Sequence, residues 1–135
     1  MAARQSFPEP RSIRVDKDGP IPTIEVRVGQ AQLGTYDLII WPLRGNPRRI
    51  GRGDTLDEVP DVHRMVRTRE QLQQIDRFRV TAVIAIQAVE RRAGARWSYD
   101  LIVRQGETEL AHATDAGEVD RPLRTIRIAY KIDLA

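Results

Sequence analysis

The stretch that most constrains this chain runs from Phe78 to Arg104, FRVTAVIAIQAVERRAGARWSYDLIVR. It holds the longest apolar run, then Arg91-Arg92-Ala93-Gly94, which reads as a turn, then a strictly alternating segment. The even positions from Phe78 to Ala88 are all apolar, and Val80, Thr81, Val83, Ile84, Ile86 and Val89 are β-branched. Side chains branched at Cβ pack well on a pleated surface and lose rotamer freedom in a helix, so the run favours a strand. Trp97, Tyr99, Leu101 and Val103 alternate with Arg96, Ser98, Asp100 and Ile102, the period of a strand with one buried face. Read together, the two segments form the central hairpin of a sheet. A helix competes for the first half. Thr68-Arg-Glu-Gln71 fits a capping box, and Leu72, Ile75, Arg79, Ala82, Val83, Ile86 and Val89 fall roughly at helical spacing up to a Gly94 cap. One helix over 69–93 would make the domain α+β. That helix would be apolar on every side, which favours a short helical turn after Thr68 and a strand from Phe78.

The remaining apolar residues also repeat with period two. Ile24, Val26 and Val28 form one set and Tyr36, Leu38 and Ile40 another, separated by a glycine-bracketed loop at 29–34. Such close neighbours are expected to pair as an antiparallel hairpin. After a two-residue turn at Gln105-Gly106, a strand is expected over 108–114 and a loop over 115–118. Ile126, Ile128, Tyr130, Ile132 and Leu134 give the least ambiguous strand. Pro42 to Thr68 lacks periodicity apart from a weak strand candidate at 62–66, so 42–67 is expected to be a long irregular loop. The count is about seven strands, and one-faced alternation favours antiparallel sheets. The expected fold is therefore an all-β antiparallel β-sandwich with one short helix, spanning 23–135. Pro8, Pro10, Pro20 and Pro22 fix φ and remove backbone donors, so residues 1–22 read as an extended N-terminal arm.

With 135 residues, the chain is sized for a single core. It has no cysteine, which excludes disulfides and thiolate chemistry. The N-terminus lacks the apolar centre of a secretory signal. No run approaches the roughly 18 apolar residues of a membrane helix. A soluble, cytoplasmic protein is the expectation. Net charge is only +3, yet Lys17 and Lys131 are the only lysines, so the basic side is almost entirely arginine. Guanidinium forks suit bidentate contact with carboxylate or phosphate.

No constellation argues for catalysis. Ser6 and Ser12 lie in the arm, Ser98 faces outward, and His112, between two alanines, is expected to be a partly buried packing residue. Asp54, Asp57, Glu58, Asp61 and His63 supply oxygen and imidazole groups, but their spacing matches no EF-hand and arginines crowd them. No metal or other cofactor is expected. Arg52-Gly53-Asp54 spells a cell-adhesion tripeptide and is set aside for want of a secretion signal. The segment Arg44-Gly-Asn-Pro-Arg-Arg-Ile-Gly-Arg52 pairs glycines with anion-binding arginines, but it lacks the ending of a Walker loop. Trp41 is expected to pack beneath it. The 42–67 loop thus has a basic half (Arg44, Arg48, Arg49, Arg52) and an acidic half (Asp54, Asp57, Glu58, Asp61). With the arm, those halves suggest a non-catalytic protein–protein interaction or structural module, as a subunit of a homo- or hetero-assembly. Binding of a polyanion, nucleic acid or phosphate, through Arg44–Arg52 is the alternative.

Overall fold

The computed structural model describes residues 7–55, 60–75 and 77–135. The fold is all-β, two packed sheets with one short helix. Its elements are β1 (Arg11–Val15), β2 (Thr23–Gly29), β3 (Leu33–Pro42), β4 (Arg48–Thr55), β5 (Asp61–Arg64), α1 (Arg69–Gln74), β6 (Phe78–Gln87), β7 (Arg96–Gln105), β8 (Thr108–Glu118) and β9 (Leu123–Leu134). A five-stranded sheet has the order β1-β9-β6-β3-β4, and a four-stranded sheet the order β5-β2-β7-β8. Every pairing is antiparallel except β1 with β9. The sheets also touch at their margins, β4 against β5 and β1 against β8.

The period-two pattern builds the core directly. Leu38, Ile40, Val80, Ile84, Tyr130 and Ile132 project from the larger sheet, and Ile24, Val26, Leu101 and Val103 from the smaller. Each such side chain contributes about 1.5–3 kcal/mol of burial free energy, less the cost of ordering it. Met65, Val66 and Leu72 add to the same core. The run from Phe78 is a strand, and the helix before it stops at Gln74. Six residues make a marginal helix, and here the expected capping box holds it. The Gln71 amide donates to Thr68 Oγ1 at 3.1 Å, and Gln71 Oε1 accepts from the Thr68 amide at 3.3 Å.

Partnering differs from the sequence expectations at several places. β6 and β7 form no hairpin: β6 is the middle strand of the larger sheet, and β7 lies in the smaller one. β2 and β3 are likewise split between the sheets. Alternation reports which face of a strand is buried, and two strands can bury the same core from opposite sides. The segment 42–67 is no long irregular loop, because it contains β4 and β5. Residues 115–118 continue β8, and the β7–β8 turn falls one residue later, at Gly106-Glu107, with Gly106 at φ +61°. The arm is not wholly separate either, since β1 pairs with β9 of its own chain.

Two glutamines hold the connections that cross between sheets. Gln32, fully buried, donates from Nε2 to the Glu90 and Arg96 carbonyls and accepts at Oε1 from the Val89 and Glu90 amides. Gln105 accepts from the Asp16 amide and donates to the Asp16 and Pro20 carbonyls. Crossing segments leave the hydrogen-bond ladder, and an unpaired buried peptide group costs about 1–3 kcal/mol. The two amide side chains satisfy those groups.

Candidate functional site

The arginines named from the sequence do not sit on one loop. Arg44 lies in the β3–β4 connection, while Arg48, Arg49 and Arg52 lie on β4, the margin of the larger sheet. Arg49 pairs with Asp37 on β3, Nε to Oδ1 at 2.8 Å and a second nitrogen to Oδ2 at 3.2 Å. Arg52 stands opposite Asp37 in the register and shares an open depression with Thr35, Asp54, Val83 and Ala85. The acidic half is also divided. Asp54 is exposed on β4, Asp61 is on β5, and Asp57 and Glu58 lie outside the described residues. No group of three potential metal ligands is found among the described residues.

The glycines of that segment serve packing. Gly51 and Gly53 are on the core side of β4, and each faces a ring. A Cβ at Gly51 would stand 2.5 Å from His63 Cγ, and one at Gly53 would stand 2.8 Å from the Tyr36 hydroxyl. That hydroxyl donates to Asp61 Oδ2 at 3.0 Å and lies 2.5 Å from His63 Nε2. Burial raises the Tyr36 pKa well above its ordinary value, and the Asp61 carboxylate adds to the shift. Tyr36 from one sheet and Asp61 and His63 from the other thus form a polar clasp across the seam between β4 and β5. Glycine at alternate positions of a strand signals close approach on one face; that signal was present in the sequence at Gly51 and Gly53.

A different surface gathers charges that form no ion pair among the described residues. Trp41 does not pack beneath a loop: it stands on the outer side of the larger sheet, 41% exposed, with Nε1 donating to Thr81 Oγ1 at 2.9 Å. Leu43, 62% exposed, follows it. Trp41, Pro42, Leu43 and Phe78 line a depression of about 370 Å³ with Arg77, Arg79 and Lys131. A second depression shares Pro42 and Leu43 and adds Arg44, Arg48, Gln71, Gln74 and Ile75. No carboxylate lines either one among the described residues. Sequence reading missed this arrangement because Arg77 and Arg79, at the entry to β6, meet Lys131 near the end of β9, far along the chain.

The outer face of the smaller sheet is the opposite case. Arg27 pairs with Asp100 at 2.6 Å, Arg104 with Glu25 at 3.1 Å, and His112 Nε2 meets Asp100 Oδ1 at 2.7 Å. His112 is therefore an exposed member of a charge network and not a packing residue. Burial works to raise the Asp100 pKa, but the hydrogen bonds from Arg27 and His112 outweigh it and leave the carboxyl below its ordinary 3.8.

No helix among the described residues is long and apolar enough to cross a membrane. No family model, curated protein or solved structure matches this chain.

Proposed function

We propose that this chain is a non-catalytic interaction module that docks an acidic protein partner on its Trp41 end. One observation carries the reading: exposed Trp41 and Leu43 are set among Arg77, Arg79 and Lys131, which form no ion pair among the described residues. Tryptophan and arginine are the residues most enriched at energetically dominant interface positions. An apolar centre with a cationic rim suits a partner segment that carries one apolar anchor flanked by Asp or Glu. Electrostatic complementarity of this kind steers encounter and selects among partners. The partner is another protein chain or a second copy of this one. β1 is already hydrogen-bonded within its own chain, so the reading does not call on strand exchange through the arm.

The polyanion alternative has one observation in its favour, the continuation to Arg44 and Arg48 of a lining with no acid among the described residues. Against it, bare phosphate backbones give little return for exposed Leu43. Fluorescence anisotropy with an acidic peptide bearing a central leucine tests the choice, alongside a peptide with its leucine replaced by serine and a single-stranded oligonucleotide. The leucine peptide is expected to bind at least tenfold tighter than the serine peptide, and Trp41→Ala is expected to abolish the difference. Equal binding of both peptides, with tighter binding of the oligonucleotide, would favour the polyanion reading instead.

A further inference from the structure

A notch at the seam between the two sheets carries a second, separate inference. Arg48 and Arg49 reach it from the start of β4, Arg64 from the end of β5, and Arg67 from the turn before α1. Ile50, Met65 and Val66 form the rest of its lining, and Met65 and Val66 are buried. Its volume is about 180 Å³, and no acidic residue lines it among the described residues. Arg49 is held by Asp37. Arg48, Arg64 and Arg67 have no ion pair among the described residues.

The convergence follows from the clasp described above. With no Cβ at Gly51, the His63 ring can lie against β4. That contact draws the margins of two different sheets together and brings Arg48 and Arg64 to one place. Like charges gathered over an apolar floor repel one another more than the same charges in open water. The arginines of the smaller sheet's outer face meet carboxylates; the notch has none among the described residues that line it. We infer that the notch is a binding site for a phosphate-class dianion, taken as inorganic phosphate or as a phosphomonoester on a peptide. Guanidinium groups from three elements can surround a tetrahedral oxyanion with bidentate, charge-assisted bonds. The small volume suits a phosphoryl group and not a nucleoside. The notch shares Arg48 with the second depression, but Trp41, Arg77 and Arg79 of the docking surface do not line it, and the inference does not rest on that surface.

Thermal unfolding of the full chain tests it, with inorganic phosphate replacing chloride at constant ionic strength. A saturable rise in Tm is expected. Arg64→Gln and Arg67→Gln are each expected to weaken the phosphate response at least tenfold in apparent Kd, and Arg121→Gln, at the opposite end of the sandwich, to leave it unchanged. Arg67 lies outside every strand, so its variant keeps the test valid if Arg64→Gln fails to fold. A phosphoserine peptide and its unphosphorylated twin separate the two sources. Tighter binding of the phosphopeptide than of free phosphate assigns the site to a modified partner, and equal binding assigns it to the free ion. The inference is overturned if phosphate gives no rise beyond chloride, or if Arg67→Gln and Arg121→Gln respond alike.

Discussion

The outer face of the smaller sheet and the Trp41 end of the larger one use the same cation in opposite ways. On the smaller sheet, strand register places Arg27 and Arg104 beside Asp100 and Glu25, so charge is cancelled locally. At the Trp41 end, Arg77, Arg79 and Lys131 surround exposed apolar side chains, with no carboxylate lining them among the described residues. Arginine content alone therefore says nothing of recognition. What distinguishes the regions is whether the fold brings an acid within reach.

The largest effect is expected where the seam itself is attacked. Gly51→Ala puts a Cβ into the His63 ring, and overpacking of this kind costs about 1–3 kcal/mol. Urea denaturation should show that loss, and a variant as stable as the parent would mean the seam does not fix the positions of Arg48 and Arg64.

A smaller effect separates the two regions directly. Arg104→Ala removes the partner of Glu25 and is expected to cost about 0.5–1 kcal/mol, within the range of exposed ion pairs. Arg79→Ala removes a cation with like-charged neighbours, so unfolding stability should stay level or rise slightly. If both substitutions destabilise equally, the contrast between paired and unpaired faces is wrong.

The smallest expected effect is a pH dependence. Asp100 has a folded-state pKa below its ordinary value. Its contribution is complete above 3.8 and is lost as pH falls below that through the folded value. Asp100→Asn should accordingly flatten the acid limb of the stability curve below that point while lowering stability at neutral pH. An unchanged acid limb would remove Asp100 from the network.

How much of this was legible differs by residue. The one-faced alternation of Ile24 to Val28 and Trp97 to Val103 marked buried faces correctly. In β9, Tyr130 and Ile132 are buried as expected, but so is Ala129 of the other face. The β-branched run after Phe78 marked a strand in place of the 69–93 helix. The capping box at Thr68 was readable to the atom. By contrast, β4 was hidden, because Gly51 and Gly53 occupy the inward positions where apolar side chains would have signalled a strand. β1, only five residues long, was masked by flanking prolines. The arginines of the proposed docking surface were visible as residues but not as a group.

The sequence by itself determined the all-β class, the inward and outward side of most strands, and the short capped helix. Each of these depends on neighbours within a few positions, where backbone period and steric preference act. Only the tertiary structure decided that β6 and β7 belong to different sheets, that Tyr36 meets Asp61 and His63, and which arginines find a carboxylate. Those outcomes depend on register and on distances across two packed sheets. Residues far apart in the chain meet there because burial of a shared core, and not local preference, fixes where each strand lies.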